Sequence, residues 1–263
     1  MAGVIRWLRH PDDPLPEVER APRTSDIPGL VAAGGELTPA RLAEAYAKGI
    51  FPWYSDGQPI LWWSPDPRMV LLPAEFKLSR SLRKTIRRFI ATPGSSLRID
   101  TATRRVIAAC ASVPRGGESG TWIVPEMIEA YGRWHDLGRV HSFETWIDGE
   151  LAGGLYGVGL GRMFFGESMF ALRTDASKIA LAALVAFCRG HGIETIDCQQ
   201  RTAHLESFGG REIARREFQR RLGTALARSE VMDWSYDLRL WEQLGIGSTA
   251  ERAEPDAPED ARP

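Results

Sequence analysis

Residues 150–189 read ELAGGLYGVGLGRMFFGESMFALRTDASKIALAALVAFCR, and their pattern sets the architecture. Apolar residues alternate in Thr145-Trp-Ile147 and again from Leu151 to Val158. The Asp148-Gly149 pair between them tolerates the positive φ of a tight primed turn, so the two segments form a hairpin. Gly159-Leu-Gly161 turns the chain into a third strand over 162–165. Gly166-Glu-Ser-Met-Phe170 follows, with a carboxylate and a hydroxyl among aromatics. A helix then opens on Asp175 as N-cap and closes at Gly190. Beyond it, Glu194-Thr-Ile-Asp-Cys-Gln-Gln200 is a short strand. Its alternation places Asp197 and Gln199 on one face, Ile196 and Cys198 on the other. A meander carrying polar groups to the head of a buried helix is a floor for a reaction site.

The 263 residues hold one large or two ordinary domains, with 43% hydrophobic and 25% charged residues. A formal net charge of −1 excludes a generally basic nucleic-acid coat, so any such partner must be held by a local patch. Cys110, Cys188 and Cys198 are far apart and form no CxxC pair, which argues against a disulfide frame or structural zinc. Arginines interrupt the apolar run at residues 1–9, and no stretch of about 18 uncharged apolar residues occurs, so neither a signal peptide nor a membrane span is expected. The expected location is the cytosol.

The first thirty residues carry Pro11, Pro14, Pro16, Pro22 and Pro28 and are expected to wrap the surface as extended chain. Thr38 as N-cap, Pro39 at the first helical position and Gly49 as a stop predict a helix over 39–48. Trp53, Trp62 and Trp63 then form either a rigid aromatic wall or the core of a small domain. The texture changes near Pro73. The expected division is a small N-terminal domain over 1–73, a catalytic domain over 74–247 and a disordered acidic tail over 248–263. The fold class is α+β.

Arg80, Arg83, Lys84, Arg87 and Arg88 fall on one helical face, with Leu82, Ile86 and Phe89 on the other. Such a stripe is either a grip for phosphates or a solvated helix face. Helices are also predicted over 125–137, 202–208 and 216–228, with a last strand over 212–215. His135 and His141 lack a carboxylate set on a common face and read as structural rather than metal-binding.

Several chemistries are weak here. In Gly157-Val-Gly-Leu-Gly161 the last glycine of a dinucleotide fingerprint is replaced by Arg162, and the segment joins two strands instead of opening a helix. Ser168 lacks a GxSxG surround. Cys198 near His204 suggests a thiol nucleophile, yet alternation turns the thiol toward the core.

Seven motifs stand in one order: Gly49-Ile-Phe-Pro-Trp53, Trp62-Trp-Ser-Pro-Asp-Pro-Arg68, Gly120-Thr-Trp-Ile123, Gly153-Gly-Leu-Tyr-Gly157, Gly166-Glu-Ser-Met-Phe170, Ala176-Ser-Lys178 and Ile196-Asp-Cys-Gln199. In this the chain resembles the leucyl/phenylalanyl-tRNA protein transferases over roughly residues 26–220. The resemblance implies an enzyme that moves leucine, phenylalanine or sometimes methionine from aminoacyl-tRNA onto the N-terminal arginine or lysine of a protein, marking it for N-end degradation. It also implies a C-terminal domain similar to the acyl-CoA-dependent N-acetyltransferase (GNAT) fold and a monomer. The turn over 172–178 has no glycine to cradle a CoA pyrophosphate, so no cofactor is expected.

The resemblance also implies site residues. Gln199 is implied to draw a proton from the attacking α-amine, with Asp197 orienting it; an amide oxygen is a feeble base, so Gln199 is expected rather as an acceptor that aims the amine, and Asp197 and Glu167 are candidates to face the acceptor's positive charge. Leu155, Phe164, Ser168, Met169 and Phe170 supply a pocket for the leucyl or phenylalanyl group, and Trp53 and Trp122 surround the terminal adenosine. The basic helix carrying Arg80, Arg83, Lys84, Arg87 and Arg88 holds the tRNA body. Two other readings compete: an N-acyltransferase using a CoA thioester, and a tRNA-binding module without catalysis.

Overall fold

The computed structural model describes residues 5–21, 27–113 and 123–247, which build a mixed α/β protein on two sheets. The smaller sheet runs in the order β1-β2-β4-β3, from β1 (Arg6–Leu8), β2 (Leu30–Gly34), β3 (Phe51–Pro52) and β4 (Leu61–Trp63). Between β2 and β3 lies α1 (Pro39–Ala47), whose N-cap Thr38 accepts from the Arg41 backbone N–H at 3.2 Å. Where it is described, the proline-rich arm is extended except for a turn at residues 11–12 and a 3-10 turn, Val18–Arg20, and it is also stitched down. Leu8, Leu15 and Val18 are buried, β1 pairs in parallel with β2, and Lys48 Nζ donates to the Leu15 carbonyl.

The larger sheet begins with β5 (Arg68–Leu71), so the chain changes sheets between Trp63 and Arg68, ahead of the boundary expected near Pro73. The change of texture at Pro73 marks only a 3-10 turn, Pro73–Glu75, leaving β5. Then come α2 (Arg80–Ala91), β6 (Ser96–Ile99), α3 (Thr103–Ser112) and α4 (Pro125–Asp136). The predicted meander follows as β7 (Val140–Ile147), β8 (Glu150–Leu160) and β9 (Met163–Ala171). Asp148 and Gly149, at φ 54° and 78°, make the primed turn. The third strand runs through Gly166-Glu-Ser-Met-Phe170 instead of ending at Phe165.

Next, α5 (Ala176–His191) crosses over the sheet to β10 (Thr195–Gln199), which pairs in parallel with β9. Asp175 does not cap α5. It adopts a left-handed φ of 64° and accepts from Lys178 Nζ instead, and the helix ends at left-handed Gly192 rather than Gly190. Short α6 (Ala203–Ser207), β11 (Arg211–Ile213) and α7 (Arg215–Leu226) complete the order β11-β5-β10-β9-β8-β7-β6.

Two apolar layers flank this sheet. On one face α5 is buried nearly all round, covered on its far side by α2 and by a 3-10 turn, Leu238–Leu244. On the other, Tyr46 of α1, Ile107 of α3, Tyr131 of α4 and Phe218 of α7 pack with Tyr156, Val158 and Phe165. No helix among the described residues is long and apolar enough to cross a membrane. The acidic tail over 248–263 lies outside the described residues.

Candidate active site

Two irregularities in neighbouring strands create the site. Across β8 and β9, Tyr156 pairs with Ser168 and Gly157 with Gly166, leaving Glu167 as an extra residue in β9. Glycine is needed opposite this bulge, because a Cβ at Gly157 would lie 2.2 Å from the Phe165 carbonyl oxygen. Across β10 and β5, Asp197 pairs with Val70 and Gln199 with Met69, so Cys198 is the extra residue. Gln199 takes a left-handed φ of 62°, which a non-glycine residue adopts only when its surroundings hold it there.

The bulges turn Glu167 and Gln199 toward each other. Gln199 Nε2 donates to Glu167 Oε1 at 2.9 Å. Tyr46 of α1 lies with its hydroxyl 2.7 Å from Oε1, Tyr131 of α4 with its hydroxyl 3.2 Å from Oε2, and the two hydroxyls are 2.5 Å apart. Two hydroxyl hydrogens serve two of these three contacts, and the third is served only in the protonated form of the Glu167 carboxyl. Burial pushes the Glu167 carboxyl up from 4.5 to about 7; the Tyr46 hydroxyl opposes the rise and the charge of Asp197 adds to it. Burial likewise lifts both tyrosines well above their ordinary range, so they act as neutral donors.

Asp197 sits behind this pair. Its carboxylate accepts from Arg68 Nε at 2.8 Å and Nη2 at 2.6 Å, and Oδ1 also accepts the Gln199 backbone N–H at 2.9 Å. Both members of the ion pair are buried. Asp197 is therefore committed to Arg68 and Gln199 and does not meet an incoming positive charge; of the two carboxylates expected to do so, only Glu167 reaches open space.

That space is a cavity of about 640 Å³. Glu167, Ser168 and Gln199, with Gln200, Thr202 and His204, form its polar side. Leu155 and Met169 of the meander, Leu181 and Leu184 of α5, and Ile196 form an apolar slot, while Phe51 and Trp53 supply an aromatic side. Gln199, Glu167, Trp53, Leu155, Ser168 and Met169, expected at one site, thus meet in one cavity.

Other expected members stand elsewhere. Phe164 shares a face with Leu155 but lies farther along the strand, fully buried against Phe143 and Trp234. Phe170 follows Met169, so alternation turns it to the opposite face, near Val106. Trp62 is buried and donates to the Gly34 carbonyl, and Trp63 Nε1 donates to the Trp53 carbonyl; they brace the aromatic wall, of which Trp53 alone lines the cavity. Trp122 lies outside the described residues. Cys198 is half-buried and, as expected, packs on the same core cluster as Ile196; like Ile196 it also lines the cavity. Burial pushes its thiol up, which disfavours the thiolate a nucleophile needs.

Sequence reasoning missed Arg68, Tyr46, Tyr131 and the α5 leucines. A charge in the apolar run Arg68-Met-Val-Leu-Leu72 and another in Ile196-Asp-Cys198 were the available signal, since burying either alone is costly. Tyr46 and Tyr131 carry no local mark, being 121 and 36 residues from Glu167.

On α2, Leu82, Ile86 and Phe89 are buried, as the periodicity requires. Arg80, Lys84, Arg87 and Arg88 are exposed, and among the described residues no carboxylate pairs with them. Arg83 differs: its Nη1 donates to the Leu244 and Gly245 carbonyls at 2.9 Å each, capping the C-terminal 3-10 turn. His135 meets the Val140 carbonyl and His141 the Asp100 carboxylate, each at 2.7 Å.

A family model described as leucyl/phenylalanyl-tRNA protein transferase matches residues 70–223, and the model of that family's N-terminal domain matches 35–66. A leucyl/phenylalanyl-tRNA protein transferase of Methylibium petroleiphilum is 65% identical over 241 residues, covering 91% of each chain. One of Leptothrix cholodnii is 57% identical over 92% of this chain and 96% of its own, and one of Burkholderia pseudomallei is 54% identical over 97% and 99%.

Proposed function

The chain belongs to the leucyl/phenylalanyl-tRNA protein transferase family, and from that premise we propose how its cavity moves leucine or phenylalanine from aminoacyl-tRNA to the N-terminal arginine or lysine of a protein. It is an aminoacyltransferase. The reaction exchanges an ester C–O bond for an amide C–N bond. The donor is already activated, so the protein must chiefly align two reactants and move a proton.

The leucyl or phenylalanyl side chain enters the slot of Leu155, Met169, Leu181, Leu184 and Ile196. Methionine is linear and fits the same slot, whereas charged side chains are excluded by its apolar lining. Trp53 offers a ring face to the terminal adenosine. The acceptor arrives as an ammonium and loses one proton before attack. Glu167, poised at about 7, takes that proton. Gln199, whose amide nitrogen is already donating to Glu167, presents its amide oxygen to an N–H of the amine and so aims the nitrogen lone pair at the ester carbon. As the tetrahedral intermediate collapses, the C–O bond breaks, Glu167 gives its proton to the departing ribose oxygen, and the second proton shed by the nitrogen as the amide forms passes to the freed carboxylate and on to solvent. The exposed Arg80, Lys84, Arg87 and Arg88 grip phosphates of the tRNA body. The new N-terminal residue marks the acceptor for N-end degradation. The meander, the α5 crossover and the parallel β10 support the likeness to the N-acetyltransferase fold.

The observation that carries this reading is the Gln199–Glu167 hydrogen bond on the polar side of a mostly apolar cavity. Incubation with radiolabelled leucyl-tRNA and an Arg-initiated peptide tests it. Labelled peptide is expected; label passing only from a leucyl-CoA thioester, or tRNA retained without transfer, would contradict it.

A further inference from the structure

Arg68 is a buried arginine in the apolar strand β5, and nothing in the reaction requires it to touch a substrate. Its guanidinium is nevertheless fixed from several directions. Nε and Nη2 form a fork to the two oxygens of Asp197, and Nη1 donates to the Gly49 carbonyl at 3.1 Å. The rings of Phe51 and Phe218 lie 4.8 and 4.5 Å from its carbon. Such a fork holds a carboxylate in one orientation, which a lysine ammonium cannot do.

The orientation matters because of what Asp197 does next. Its Oδ1 accepts the backbone N–H of Gln199, the residue in the left-handed conformation at the β10 bulge. A non-glycine residue there relaxes toward extended backbone unless something holds it. In an extended strand the Gln199 side chain would leave the direction that brings Nε2 to Glu167. We propose that Arg68 is a positioning residue for aminoacyl transfer: through the Asp197 carboxylate it locks the left-handed turn that presents the Gln199 amide to Glu167 and the cavity. The inference rests on the assignment of Gln199 to the attacking amine.

A merely structural ion pair would be replaceable by a neutral pair without consequence for the chemical step. The test is therefore a cycle built on Arg68→Gln/Asp197→Asn, which leaves no orphaned buried charge, made in the parent and in Gln199→Ala. Single-turnover transfer from saturating leucyl-tRNA to an Arg-initiated peptide is measured well below the melting transition, with tRNA retention followed on the same samples. The neutral pair should slow transfer about tenfold or more in the parent, leave tRNA retention within about twofold, and cost less than about twofold in the Gln199→Ala background.

A parent-like rate for the neutral pair overturns the inference, as does an equal fold-loss in both backgrounds, which would make Arg68 part of the scaffold only. Should the neutral pair fail to fold, Arg68→Lys, which keeps the charge and loses the fork, carries the same expectations. A parent-like rate for Gln199→Ala alone removes the reading of Gln199 and this inference with it. A slow Gln199→Ala beside a parent-like neutral pair removes the inference only.

Discussion

Gln199 and Glu167 meet across 2.9 Å although each stands at a β-bulge that displaces it from the position a regular strand would give it. The acid lies on β9, the amide on β10, and the two strands are parallel neighbours joined through α5. The contact depends on both irregularities at once. It gives a mostly apolar cavity a carboxyl whose proton affinity lies near neutrality.

That proton affinity has a consequence for stability. The folded protein holds the Glu167 proton to about pH 7, whereas an ordinary carboxyl loses it near 4.5. This contribution is complete below pH 4.5 and is lost as pH rises toward 7, amounting to roughly 3 kcal/mol. Glu167→Gln, neutral throughout, should flatten the Tm against pH curve over that interval and exceed the parent in Tm above it, while losing transfer. A Tm difference independent of pH would contradict the assigned protonation.

Tyr46 opposes the rise at Glu167 through its hydrogen bond at 2.7 Å. Tyr46→Phe removes that donor and should move the acidic limb of the kcat/KM profile upward by up to about one pH unit. A limb that stays in place or moves down would show that Glu167 does not set it.

The residues of α2 divide by their partners. Replacing Arg80, Lys84 and Arg87 together by alanine should weaken tRNA binding and reduce the slope of log K against log salt by about one for each phosphate no longer neutralised. Arg83→Ala should leave the slope alone and cost about 1 kcal/mol of stability, because its bonds go to the Leu244 and Gly245 carbonyls. Filter binding across a salt series, with melting curves, separates the two effects.

Met169 lines the slot beside Leu155. Shortening it to alanine widens the apolar end and should favour phenylalanyl over leucyl transfer by about tenfold in kcat/KM. Competition between the two charged tRNAs reads the ratio directly.

Much of this architecture was legible in the sequence. Asp148-Gly149, Thr38-Pro39 and the apolar side of α2 each carry local chemistry that leaves few alternatives, and the structure keeps all three. Strand alternation was the right rule for Phe170 once β9 was known to run through Ala171, and for Cys198, which packs with Ile196; it was the wrong one for Asp197 and Gln199, where the bulge breaks the period of two and only Gln199 reaches the cavity. Bulges leave little trace in a sequence; Gly157, which accommodates one of them, reads there as one more residue of the strand over 151–158. The ion pair of Arg68 and Asp197 spans 129 residues, and the contact of Tyr46 with Glu167 spans 121. No periodicity reports such distances. Only a charge placed inside an apolar strand hints that a partner must arrive from elsewhere.

The role proposed for Gln199 lies in the chemical step and not in the capture of tRNA. Single-turnover transfer from prebound leucyl-tRNA to an Arg-initiated peptide, compared between the parent and Gln199→Ala with tRNA retention measured in the same samples, tests it most directly. A rate lowered by about 10²-fold with retention unchanged is the predicted result. A rate equal to that of the parent, or equal losses in rate and retention, would contradict it.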